Sequence, residues 1–234
     1  MLKKEWILLW LFPLSGWTIP FDFNKTWTGI YAGGNLGGIF NQAVLNANHE
    51  AFSNWEGVCH HNNDFSSFFM GPQAGALLQL SSHWVVGVEG DFTYNFSQSS
   101  SYQCDCDFYA EVYDKFTVYN RNQGSLRGRL GYVLDHHLLP YFSGGASFAN
   151  IGINYTNEVA NDYSSQKIQT GWVFGGGMEW AYSPQISMRL EYYYNEYPRL
   201  GMPISTIYGV EDGAGQAAFN LSANNIRAVF SYWF

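Results

Sequence analysis

A chain of 234 residues with a net charge of -8 has no basic surplus with which to hold nucleic acid, and none is expected as a partner. Aromatic residues make up 19% and charged residues only 13%, an unusual balance for a soluble domain. Mean hydropathy is nevertheless -0.18, and no apolar run reaches the roughly 18 to 20 residues of a membrane helix, so a helical membrane protein is excluded. A membrane β-barrel survives both tests, because its signal is alternation.

Lys3 and Lys4 precede the apolar run Trp6 to Leu14, so residues 1–20 have the form of a secretory signal peptide, although Glu5 is atypical and no A-x-A site follows. Residues 21–25 read as a linker and 26–234 as the barrel. In the first predicted strand, Thr26 to Asn41, Ile30, Ala32, Leu36 and Phe40 share one face and Tyr31 and Asn35 the other, with a glycine content that suits a curved strand. A polar loop is expected over 42–64. Phe65 to Leu80 and Trp84 to Phe96 then alternate about the short turn at Ser81, Ser82 and His83, forming a hairpin.

A second loop is expected over 97–114, and Lys115 to Leu134 follows as the fourth strand. A turn at Asp135, His136 and His137 leads into the fifth, Leu139 to Tyr155. There Phe142, Ala146 and Phe148 suggest one parity and Ile151 and Ile153 the other, which predicts a bulge near Ala149 or Asn150. After a third loop, 156–167, come Ile168 to Tyr182, a corner at Ser183 and Pro184, and Gln185 to Tyr197. A fourth loop, 198–218, returns the chain to the strand Asn224 to Phe234. Eight strands with long and short connections in alternation predict an all-β, antiparallel, up-and-down transmembrane barrel. Four long outer loops and three short periplasmic turns leave both chain ends on the periplasmic side.

A Lys or Arg on the lipid face at mid-membrane costs about 2 to 4 kcal/mol, so strand charges belong inside. By parity the inward set is Glu89, Asp91, Arg127, Arg129, Glu179, Arg189, Glu191 and Arg227, four acids against four bases. Side chains just fill the interior of an eight-stranded barrel, so these charges are expected to pair and plug it. A narrow water-filled channel lined by the same groups is the alternative. Trp84, Tyr132, Trp180 and Trp233 are expected in an aromatic girdle on the short-turn side, and Phe40, Phe68, Phe96, Trp172 and Tyr194 in one on the loop side. The competing soluble ligand barrel would turn the apolar faces inward, into a lumen too small for them.

The stretches Trp27 to Asn35, Gly124 to Tyr132, Leu139 to Gly145, Gly171 to Glu179 and Ser187 to Tyr192, with the terminal Phe234, resemble the opacity or surface-antigen family of porin-like outer-membrane proteins. That family is related in architecture to the OmpA-type transmembrane domain, and the resemblance covers about residues 26 to 234. It implies a bacterial outer-membrane location, contact with outer-membrane lipids, and a structural surface protein, antigen or adhesin, with a narrow porin as alternative. Phe230, Tyr232 and Phe234 are similar to the closing signature of such barrels, which implies delivery to the barrel-assembly machinery.

Cys59, Cys104 and Cys106 fall in the first two predicted outer loops, where an oxidising surface favours a disulfide between Cys59 and one of the other two. Cys59, His60, His61, Cys104 and Cys106 also have the chemistry of Zn or Cu ligands, but no metal centre and no cofactor is expected. All six histidines lie in predicted loops or turns, away from rigid strands, so no catalytic residues are assigned and no enzyme is expected. The predicted outer loops hold 11 acids against Lys167 and Arg199. Solvation accounts for that crown; an external protein or host ligand is the partner it would suit.

Overall fold

The computed structural model describes residues 25–48, 59–96, 99–105, 113–157, 163–203 and 216–234. The expected signal peptide, the first part of the linker and Cys106 lie outside the described residues. Alternating apolar and polar side chains produce nine described strands: β1 (Gly29–Asn48), β2 (Cys59–Gln79), β3 (Trp84–Asn95), β4 (Ser99–Asp105), β5 (Tyr113–Tyr132), β6 (Leu138–Asn157), β7 (Tyr163–Ala181), β8 (Ile186–Pro203) and β9 (Gln216–Trp233). Every ladder is antiparallel, in the order β3-β2-β1-β9-β8-β7-β6-β5, and β3 pairs with β5 to close the ring. β4 pairs with the stretch of β5 beyond the one β3 takes, so β3 and β4 together make one stave of eight. Closure leaves no exposed edge along the ring, which is how a sheet survives in lipid.

The large apolar residues of the paired faces, among them Ile30, Phe142 and Leu190, point outward and are exposed, while Glu89, Arg127 and Arg189 are buried inside. That orientation rules out the soluble ligand barrel. The three short connections are residues 80–83, 133–137 and 182–185.

Several sequence expectations need correction. The predicted loops 42–64, 97–114, 156–167 and 198–218 are partly strand: the β1–β2 ladder runs to Ala47 opposite Cys59, and β8–β9 to Pro203 opposite Gln216. β1 has 20 residues, about twice the 9 to 11 that cross a bilayer, and its last stretch, Asn41 to Asn48, mixes polar and apolar residues without the sequence alternation that marks a strand. β6 keeps a single parity through Ile151, which is buried in the interior. The shift lies instead in β5, between Asn120 and Gln123, where one extra residue faces an unbroken β6. Trp233 is buried and does not join the outer girdle, because its odd position turns it inward.

Candidate functional site

The same row of four residues occurs twice around the ring. In register across β1, β2, β3 and β5 stand Tyr31, Gly75, Glu89 and Arg127. Across β6, β7, β8 and β9 stand Tyr141, Gly177, Glu191 and Arg227. A β-carbon on Gly75 would collide with the Tyr31 hydroxyl. The bare glycine therefore lets the Tyr31 ring lean across β2, and its hydroxyl donates to Glu89 Oε2 on β3 at 2.6 Å. Tyr141 donates to Glu191 Oε1 from the matching position, two strands away across Gly177.

The two rows supply Glu89, Arg127, Glu191 and Arg227, and Asp91, Arg129, Glu179 and Arg189 join them in one layer whose charged side chains are all buried. Glu89 is its centre, with Arg127 and Arg189 in direct contact, Arg129 at 3.5 Å and Arg227 at 3.7 Å. Asp91 accepts from Arg127 Nη1 and from Arg227 Nη1, each at 2.7 Å. Arg129 donates to Glu179 at 2.8 Å, Arg189 lies 3.3 Å from Glu191, and Arg227 Nε donates to Glu191. Aromatic faces cover the guanidinium groups: Tyr141 is 3.7 Å from Arg129, and Tyr193 lies 4.3 Å from Arg127 and 4.7 Å from Arg227. Every charge has an opposite neighbour and each guanidinium has a tyrosine ring near it, the conditions under which ions are tolerated away from water.

On the short-turn side, the charges give way to an apolar cluster that includes Trp27, Tyr31, Leu77, Val85, Leu139 and Trp233. The chain before β1 runs under this cluster. Lys25 Nζ donates to the Pro184 carbonyl at 2.8 Å and lies 4.1 Å from the Trp233 ring, while the Trp27 amide donates to Gln79 Oε1 at 3.0 Å. Burial lowers the Lys25 pKa to about 8, against a smaller raising pull from Glu179. Trp233 Nε1 donates to Ser187 Oγ at 2.9 Å, and Ser187 donates to Glu179 Oε1 at 2.6 Å, so hydrogen bonds join the mouth to the charge layer. Sequence reasoning placed Lys25 in a linker and missed this strap. No periodic signal marks it, because its partners lie at the far end of the chain.

Toward the outside, the interior is lined by amides. The Asn35 and Asn120 side chains, Gln123 Oε1 and Asn195 Oδ1 are buried with no protein partner. Buried amides of this kind are places for bound water, as are the Nε atoms of Arg127, Arg129 and Arg189 in the charge layer. A cavity of about 10 Å³ between Asp91, Gln123 and Asn195 has room for a single water.

Cys59, His60 and His61 lie in β2 and Cys104 in β4, all in strand where loops were expected. Among the described residues no group of three or more His, Cys, Asp or Glu is placed to hold a metal ion. Phe230, Tyr232 and Phe234 are exposed on the outer wall, and the Phe234 amide donates to the Ile30 carbonyl at 3.0 Å, tying the last residue to β1.

Residues 10–234 match the family model described as outer membrane protein beta-barrel domain. The chain is 27% identical over 190 residues to the 31 kDa outer-membrane immunogenic protein of Brucella melitensis biotype 1, covering 79% of this chain and 76% of that protein. It is 32% identical over 113 residues to the 25 kDa outer-membrane immunogenic protein of Brucella abortus biovar 1, covering 48% of this chain and 45% of that one. Among solved structures, the outer membrane protein OprG of Pseudomonas aeruginosa superposes with a TM-score of 0.56 at 9% identity, over 91% of this chain and 99% of the other.

Proposed function

From membership in the outer membrane protein β-barrel domain family, to which this chain belongs, we propose that it is a structural surface barrel whose lumen is plugged. Its place in the bacterial outer membrane follows from the family and from the named relatives. The observation that carries the reading is the Glu89 layer, in which four carboxylates and four guanidinium groups are all buried and mutually paired. Ions held this way resist the water and solute that a conducting path needs. The strap with Lys25 and Trp27 supports the same reading from the periplasmic mouth. The outer loops, acidic in sequence, are then the part available to an external protein or host ligand, and insertion proceeds through the barrel-assembly machinery. The two Brucella relatives, named as immunogenic outer-membrane proteins, favour exposure of those loops. No catalytic role is proposed.

The second reading is a narrow passive porin, favoured by the unpartnered amides of the outer half. Single-channel recording on the refolded chain in planar bilayers separates the two. Heat-modifiable mobility in detergent shows that the barrel is folded. A silent bilayer is expected from the plugged barrel; reproducible openings would establish the porin and remove the plug.

A further inference from the structure

On the lipid-facing wall the sheet carries an open, apolar groove of about 880 Å³. Its floor is Gly176, which stands in register between Phe142 on β6 and Tyr192 on β8. A β-carbon there would collide with the Tyr141 carbonyl oxygen, so the backbone itself keeps the floor bare. Phe142 and Phe174 stack within 7° of parallel, 6.5 Å apart, and form one wall. At the short-turn end, Trp84 and Tyr132 meet edge to face at 5.2 Å, and the His83 imidazole stacks on Tyr132 at 5.3 Å. At the other end the Tyr192 hydroxyl is committed to Asn224 Oδ1 at 2.6 Å.

We propose that this groove holds one acyl chain of a periplasmic-leaflet phospholipid at a fixed place on the barrel. The groove is continuous with the wall that faces the bilayer, where acyl chains are the surrounding solvent. Its polar end fixes the leaflet: the indole, phenol and imidazole groups of Trp84, Tyr132 and His83 lie beside the periplasmic turn at 80–83, the depth at which interfacial rings meet headgroups. A second barrel is a poorer occupant. The projecting rings of Phe142 and Tyr192 frame a slot for a flexible chain and hold off a flat wall.

The test is phospholipid retention. The full chain is reconstituted in nanodiscs of phosphatidylethanolamine and phosphatidylglycerol, extracted into mild detergent and weighed by native mass spectrometry. One retained phospholipid per barrel is expected. Phe142→Ala combined with Tyr192→Ala lowers the retained fraction at least fivefold, and Phe92→Ala, on β3 away from the groove, leaves it unchanged. Heat-modifiable mobility verifies each fold, and Phe174→Ala alone carries the same expectation if the double variant does not assemble. No retained phospholipid in the wild type, equal loss in Phe92→Ala, displacement by added lipid A, or a dimer mass in place of the lipid each overturns the proposal.

Discussion

Glu89 has guanidinium groups on several sides and a tyrosine hydroxyl on another, so its charge is shared by groups from β1, β5, β8 and β9. Glu89→Gln leaves four buried arginines facing three carboxylates. Breaking a buried pair from one side costs about 3 to 5 kcal/mol. Tyr31→Phe removes a hydrogen bond to a charged group, about 1.5 to 3 kcal/mol. The urea midpoint of the mobility shift should fall for both, and further for Glu89→Gln; an unchanged midpoint for Glu89→Gln would show that the pairs hold nothing together. Lys25 gives the pH dependence of the mouth. Its docked pKa, about 8, lies below the free value of 10.5, so between those limits the undocked strap binds more protons and docking strengthens as pH rises. Protection of the strap from proteolysis should therefore increase from pH 8 to pH 10.5, and Lys25→Met, which has no titrating group, should remove that pH dependence.

Single glycines decide how neighbouring strands share the lumen. Gly75 lies beneath the Tyr31 ring and Gly177 beside Glu191, so each row is a tyrosine reaching over a glycine to an acid. Gly75→Val should evict Tyr31 and lower the folded fraction after refolding more than Gly90→Val does, since Gly90 is in the same hairpin but its β-carbon would meet only ordinary contacts. Equal yields would mean that the row has no structural consequence. The duplication was within reach of the sequence: Leu126, Arg127, Leu130, Tyr132 and Leu134 repeat at the spacing of Ile226, Arg227, Phe230, Tyr232 and Phe234. That spacing does not reach the tyrosines, since Tyr31 and Tyr141 are 110 positions apart rather than 100, and parity alone left them as two of many inward residues. The outer strand extensions were not legible. Beyond the membrane both faces of a strand meet water, and alternation no longer has a physical cause.

Closure of the whole barrel depends on its last strand. β9 pairs with both β1 and β8, and Phe234 is bound to the start of β1. If the terminal aromatic row is the signal that the assembly machinery reads, removal of Phe234 should slow insertion in cells several-fold while refolding in detergent stays near normal. Equal loss in both settings would make Phe234 a structural residue only. The sequence by itself determined the all-β class and the side of the wall that strand residues take, Trp233 and Ile151 excepted. Both follow from a period of two and from the cost of charge in lipid, which act on each strand alone. Only the tertiary structure decided which charges meet, that Lys25 and Trp27 lie under the mouth, and that Gly176 leaves a groove between rings. Many of those contacts cross long stretches of chain, 50 positions from Arg129 to Glu179 and 159 from Lys25 to Pro184, and they depend on register and ring closure, which no single strand encodes.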